Sequence, residues 1–309
     1  MEEFQTYSPE EIILSNLEEL FHRGLHIGEQ EQAHLRELAR EIAAEVADNQ
    51  TLLTSLPDHR LPDSTEQSDQ ASASNTFRGA LARQLSTRQK VLLCIELSQQ
   101  IPSPNTFLQD LFPQGEEVRE FSQDRISYQK NSYTELAFQR FSQVLSGRAR
   151  ASYAQSFPAV CEDVFNGVCE YCILPIENSG EGRLISFAHL IAQYDLKITA
   201  TCDVKVGEDK ITRFALLRRH ATPLRDTEKF PHLFEFSCAL SQEQDAEDLL
   251  AAARLCGLTM QYVALRPTEQ RKDFHGVFQA DDGNLVAYLL YLAMELPTAN
   301  LIGHYPNIS

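Results

Sequence analysis

The amino-acid sequence predicts an α/β protein made of an N-terminal helical region, a central layered α/β lobe and a C-terminal ferredoxin-like unit. Three observations carry this expectation. Apolar residues recur at helical spacing as far as Gln99; from Arg125 onward short apolar runs alternate with helical periodicities; and Phe234 to Tyr305 follows the order β-α-β-β-α-β.

In the front end, Ile12, Ile13, Leu17 and Leu20 share one helical face, and Leu35, Leu38, Ile42, Ala43 and Val46 share another, with Gly24 and Gly28 between them. Residues 1–56 therefore read as a helical hairpin. Residues 57–75 turn to Ser, Asp, Gln and Pro without apolar period, the composition of a flexible linker. A helical segment is expected over 76–124, with its helix at Phe77 to Gln99 ended by Pro102 and Pro104. Residues 1–80 hold 16 acidic and 5 basic residues, so this stretch carries −11 of the chain's −17.

The layered lobe spans 125–222. Arg125 to Gln129 reads as a short strand, and the next helix opens on Ser132 and Glu135, an S-x-x-E capping box, with Tyr133, Ala137, Phe141 and Leu145 on one face. A turn or two of helix is expected over Cys161 to Val168. Tyr171 to Pro175 is a continuous apolar run, hence a buried strand. The loop ENSGEG leads into a helix over Leu184 to Tyr194, and strands follow near Lys197 to Val206 and Ile211 to Leu217.

The last unit spans 232–309. Phe234 to Leu240 is a strand; Ser241 with Gln244 caps a helix carrying Ala246, Leu249, Leu250 and Ala253, which Gly257 ends. Leu258 to Leu265 and Gly276 to Ala280 are strands, Leu285 to Leu296 is a helix stopped by Pro297, and Asn300 to Tyr305 closes the sheet.

Composition excludes some partners. A net charge of −17 opposes binding to nucleic acid or anionic membrane, which need a cationic surface. The start, MEEFQTYSPEE, has neither a basic region nor an apolar one, and no run approaches the roughly 18 apolar residues of a membrane span, so a cytoplasmic protein is expected. Seven scattered cysteines fit reduced thiols. Cys169 and Cys172 form a CxxC without a second ligand pair, so no metal is expected there and the two read as apolar residues at a strand start.

Several motifs, in order, resemble the prephenate dehydratase family: ISYQKNSYTELAF (Ile126 to Phe138), ILPIENS (Ile173 to Ser179), ITRF (Ile211 to Phe214), LTMQYVALRP (Leu258 to Pro267) and GHYP (Gly303 to Pro306). The resemblance implies a periplasmic-binding-protein-like lobe, here truncated, followed by an amino-acid-sensing ACT domain. It implies decarboxylating dehydration of prephenate to phenylpyruvate in phenylalanine biosynthesis, or the same reaction on arogenate, with no cofactor and no metal. Thr212 is the implied catalytic proton donor. Glu177, Asn178, Ser179, Gly180, Arg213, Phe214, Ser132 and Thr134 are the implied substrate contacts, and Arg266 and Pro267 the implied effector contacts. The ligand would be a small dicarboxylate or an aromatic amino acid, and the ACT-like domain would form a homodimer.

Physical chemistry makes these residue types suitable. Helix N-termini and close-approach glycines such as Gly180 and Gly182 attract carboxylates, Asn178 and Ser179 add donors, and Arg213 can grip a carboxylate or orient the Thr212 hydroxyl. Each also has an ordinary reading. Glu177 to Ser179 fit a strand-to-helix cap, Thr212 and Phe214 alternate as any strand residues do, and Arg213 fits a surface charge.

Departures from the family shape a rival expectation. Its second lobe would stand between the strands that here are separated only by Val204 to Lys210, fewer residues than a crossover needs. Either Phe77 to Gln129 supplies the missing wall, or the chain is a catalytically inactive relative acting as a binding or regulatory module. The glycine-rich turn at the start of the lobe is Gln129, Lys130 and Asn131, a departure at a ligand contact; ESRP reads Val263 to Pro267 as VALRP, and Gly-Ala-Leu reads Ser241, Gln242, Glu243, and these two oppose phenylalanine sensing. A fused chorismate mutase is disfavoured, because no lysine precedes Lys90 and Arg36 and Arg40 merely share a helix face. A partner-binding helical hairpin is expected instead.

Overall fold

The computed structural model describes residues 33, 35–37 and 40, residues 85–100, and residues 124–309 apart from 146–148, 207–209, 221–223, 225–226, 228, 242–243, 269–270, 282 and 297–298. Most of the expected hairpin at 1–56, the linker at 57–75, and residues 101–123 lie outside the described residues. The described elements begin with α1 (Thr87–Gln100), followed by β1 (Arg125–Tyr128), α2 (Ser132–Val144), β2 (Arg150–Tyr153), α3 (Phe157–Phe165), β3 (Tyr171–Asn178), β4 (Gly182–Arg183), α4 (Ile185–Gln193), β5 (Lys197–Val206) and β6 (Lys210–Arg218). The chain closes with β7 (His232–Leu240), α5 (Ala246–Leu255), β8 (Thr259–Pro267), β9 (Lys272–Gln279), α6 (Leu285–Glu295) and β10 (Asn300–Pro306).

The first sheet has the order β2-β1-β3-β6-β5, with β4 paired to β3. β1 runs parallel to β2 and β3, whereas β6 is antiparallel to both β3 and β5. Alternation along each strand builds two cores. Ile126, Tyr128, Tyr171, Ile173, Phe214 and Leu216 pack with Ala137 and Phe141 of α2; Cys172, Leu174, Ala215 and Leu217 pack with Val160, Cys161 and Val164 of α3 and Ile191 of α4.

The second sheet has the order β10-β7-β9-β8, all antiparallel, the ferredoxin-like arrangement expected. Phe234, Phe236, Phe274 and Phe278 face α5 and α6. The opposite face does not meet solvent alone. Leu233, Val277 and Tyr305 join the α3–α4 core of the first lobe, and Asn307 bridges Thr201 beyond the end of β10. The approach is close at Gly303, where an added Cβ would lie 2.5 Å from the Ile198 carbonyl oxygen.

Helix α1 forms a third layer on the helical side of this unit. Val91 and Cys94 enter the α5–α6 core, Lys90 pairs with Glu295 at 2.9 Å, and Asn284 donates to Ser98 Oγ at 2.7 Å. Leu35 packs on Leu93, and Arg36 meets Glu96 at 3.1 Å.

Several expectations need correction. The helix expected at Phe77 to Gln99 is placed on the C-terminal unit over its described part, so residues 87–100 do not lean over Asn178 and Thr212. Apolar complementarity decides this: the buried side of α1 matches the faces of α5 and α6. The capping box at Ser132 and Glu135 lies one residue earlier. Asn131 is the N-cap and accepts from the Tyr133 and Thr134 amides at 3.0 and 2.9 Å, while Thr134 Oγ1 accepts from the Asn131 amide at 3.0 Å. Helix α5 is likewise capped by Asp245, whose carboxylate accepts from Glu247, although the Ser241 amide does donate to Gln244. Strand β2 gave no apolar signal because three of its four residues are exposed. Strand β3 continues through Glu177 and Asn178, so these two are strand residues rather than loop.

Candidate functional site

The parallel strands β1 and β3 end at the same edge of the first sheet, and the antiparallel β6 begins there. In α/β sheets this carboxyl edge is where loops and helix N-termini meet ligands. It gathers the N-terminus of α2, the turn after Asn178, and Thr212. Asn178 and Thr212 are directly paired across β3 and β6, and Arg213 stands opposite Glu177. Sequence-distant groups are thereby adjacent.

Their hydrogen bonds show what each is free to do. Asn178 Oδ1 accepts from the Gly180 and Glu181 amides at 2.9 and 2.6 Å, which shapes the turn and occupies that oxygen. Ser179 Oγ accepts from the Ile211 amide at 3.1 Å, while the Ser179 amide donates to the Ile211 carbonyl at 2.9 Å. Gly182, at φ +72°, adopts the left-handed conformation that returns the chain to pair with β3. Arg213 donates to both Asp203 oxygens at 2.7 and 3.0 Å and lies 3.5 Å from Glu177. Among the described residues the half-buried Thr212 hydroxyl has no hydrogen-bond partner. Thr134 is buried and bonded to Gln129 and Asn131, Ser132 is exposed at the helix start, and Phe214 belongs to the α2-side core.

By β alternation Thr212 shares the α2 side with Phe214 and Leu216, whereas Arg213 is on the opposite side. The sheet therefore separates the two residues of the ITRF run. Tyr128, at the end of β1, adds a buried hydroxyl that makes no close hydrogen bond among the described residues, with its ring 5.2 Å from that of Tyr153. Burial pushes the Cys202 and Cys256 thiols up to about 12, whereas the hydrogen bond with Cys172 lowers that of Cys161. Among the described residues no three His, Cys, Asp or Glu side chains are grouped as metal ligands would be.

A second concentration of chemistry lies between the two sheets, where a cleft of about 500 Å³ separates α4 from the open face of the second sheet. At its floor Glu235, 3% exposed, accepts from Arg183 and Tyr305 and lies 2.8 Å from His275 Nε2. Burial alone would raise the Glu235 carboxyl; Arg183, His275 and Tyr305 outweigh it and hold the group at about 2. Arg266 also lines this cleft, whereas Pro267 is exposed at the end of β8. None of Thr212, Asn178, Ser132 or Thr134 does. Sequence reasoning missed this network. The signal was a lone Glu235 inside the apolar strand HLFEFSCAL, which an isolated surface charge does not explain.

No curated protein matches this chain. Among solved structures it is similar to a prephenate dehydratase from Streptococcus mutans (TM-score 0.49, 19% identity, 59% of this chain and 98% of that one). It is also similar to a prephenate dehydratase from Arthrobacter aurescens in complex with L-Phe (0.48, 16%, 60% and 90%). A quorum-quenching acylase matches comparably (0.46, 19%, 59% and 95%). At sequence level the prephenate dehydratase family model matches residues 128–209, from the end of β1 through the connection after β5, which includes the Asn178 turn and stops short of Thr212.

Proposed function

We propose that the chain is a prephenate-dehydratase-type protein that converts prephenate, or the related arogenate, at the carboxyl edge of the first sheet, with Thr212 as proton donor. The observation that carries this reading is the pairing of Thr212 with Asn178 at that edge, with the threonine hydroxyl unengaged. In the proposed step the Thr212 proton passes to the departing ring hydroxyl. The C–O bond breaks to release water, the ring carboxylate leaves as CO2, and its bonding electrons complete the aromatic ring. One proton is consumed, and water returns it to Thr212. A threonine hydroxyl is a very weak acid, so its proton must be transferred as the C–O bond breaks.

The substrate carboxylates would meet the N-terminus of α2 near Ser132 and Thr134 and the amides of the Ser179–Gly180 turn. Arg213, held by Asp203 and Glu177, would act by keeping β5 and β6 in register rather than by touching substrate. The homodimer would form on the C-terminal sheet, where β8 is an edge strand. Purified protein incubated with prephenate should yield phenylpyruvate above the spontaneous rate, and Thr212→Ala should remove that excess. Product formation at the spontaneous rate only would refute the reading.

One observation favours a second reading, a catalytically silent relative that binds without turnover. β5 and β6 are paired neighbours whose connection is residues 207–209, shorter than the crossover that a second lobe at that place would need. A one-walled site stays wet, and water weakens the electrostatics on which this chemistry draws. Saturable binding of prephenate by calorimetry, without product, would establish this alternative.

A further inference from the structure

We propose that Glu235, a residue of the C-terminal sheet, is a positioning residue for the candidate site: through Arg183 it holds the Asn178–Gly182 turn beside Thr212. Its functional meaning rests on the reading of that edge as the substrate site, whereas the mooring itself can be measured without turnover.

The turn has little to hold it locally. It returns to the sheet through β4, which is two residues long and pairs with β3 at Glu177–Arg183 and Asn178–Gly182. So short a hairpin is not stable by itself. One end of the turn is tied to β6, where the Ser179 amide donates to the Ile211 carbonyl at 2.9 Å. At the other end the chain runs into α4, whose N-cap, Leu184, makes no side-chain cap hydrogen bond and which buries only Ile191. Between these weak holds stands Arg183, 11% exposed at its side chain, which donates to Glu235 and lies over the Tyr262 ring at 5.6 Å.

The Glu235 end of this mooring is rigid. Its Oε1 also meets His275 Nε2 at 2.8 Å, and its Oε2 accepts from the Tyr305 hydroxyl. Glu235, His275 and Tyr305 come from the neighbouring strands β7, β9 and β10, so the carboxylate cannot follow Arg183 if the turn moves. Withdrawal of Arg183 would strip Glu235 of its guanidinium, an unfavourable state for a buried carboxylate. Arg183 is therefore pinned. With it is pinned Gly182, whose φ of +72° returns the chain to Asn178, the residue paired with Thr212. A group in one sheet thereby fixes the shape of a turn in the other.

Hydrogen–deuterium exchange on the full chain tests this, using a double variant, Arg183→Met with Glu235→Gln, that leaves no uncompensated buried charge. The amides of Ser179 to Leu184 should exchange about tenfold faster than in the wild type, a larger factor than at Cys172 to Leu174 in the doubly covered part of β3. His275→Gln removes a Glu235 partner on the side away from the turn; it should leave the turn amides within about twofold even where it lowers the melting temperature. Arg183→Lys keeps the charge on a single donor group, so it should give a smaller increase, and it decides the matter if the double variant fails to fold. The KM for prephenate, or the calorimetric Kd where no product forms, should rise about fivefold in the double variant and stay unchanged in His275→Gln. The proposal is overturned if the turn amides of the double variant exchange as in the wild type, if His275→Gln frees them equally, or if they are freed while prephenate is bound as before. If the wild type neither turns over nor binds prephenate, the catalytic reading falls, and the exchange comparison still decides whether Glu235 positions the turn.

Discussion

Replacing Glu235 by Gln should destabilise the fold by about 3–5 kcal/mol, the usual consequence of removing one partner from a buried ion pair. The substitution preserves shape and removes only the charge. It leaves Arg183, 11% exposed at its side chain, as an uncompensated cation, and it turns an amide toward donors on Arg183, His275 and Tyr305. For a folded unit of this size the melting temperature should fall by roughly 6–20 °C, at about 2–4 °C per kcal/mol. The carboxyl is held at about 2 against an ordinary 4.5. Because the folded value is the depressed one, its stabilisation is complete above about 4.5 and is lost as the pH falls toward 2, a total of roughly 3 kcal/mol. Urea unfolding followed by far-UV circular dichroism at pH 7, 5, 4 and 3 should therefore show a gap between wild type and Glu235→Gln that narrows below pH 4.5. A gap that is absent at pH 7, or that stays constant down to pH 3, would refute the reasoning.

Two further perturbations test how the parts are joined. Gly303→Ala should cost about 1–3 kcal/mol in thermal or urea unfolding, since its Cβ would meet the Ile198 carbonyl oxygen at 2.5 Å and Tyr305 Cδ1 at 2.9 Å, and the backbone atom cannot rotate away. Asn131→Ala should cost about 1 kcal/mol by removing the cap of α2, while Asn131→Asp should retain most of the stability; equal melting temperatures for all three proteins would show that the cap is idle.

Much of the element order was legible because burial writes a period into the sequence. Leu285, Leu289 and Leu292 recur every three or four residues and lie in the core of α6, and the unbroken run at Tyr171 marks a strand covered on both faces. Strand β2 was not legible, because a mostly exposed edge strand needs no apolar alternation. The α2 cap was misread by one residue because Asn131 and Ser132 are both good caps, and only the helix start decides between them. Of the candidate site, the Asn178 turn and Thr212 were visible as motifs. That Asn178 and Ser179 spend their side chains on local hydrogen bonds was not, since such partners come from a neighbouring strand or from the turn itself.

The sequence by itself determined local matters: which segments are helical, which strands are doubly covered, the net charge of −17, and the short spacing that makes β5 and β6 a hairpin. Tertiary structure decided everything that depends on residues far apart in the chain. It paired Thr212 with Asn178, put α1 on α5 and α6 instead of over the sheet edge, and closed the Arg183–Glu235–His275–Tyr305 network around a cleft that no single segment contains. The physical reason is that periodicity records whether a side chain is buried, whereas the identity of its partner is fixed only when two lobes pack and each buried charge must find a compensating one.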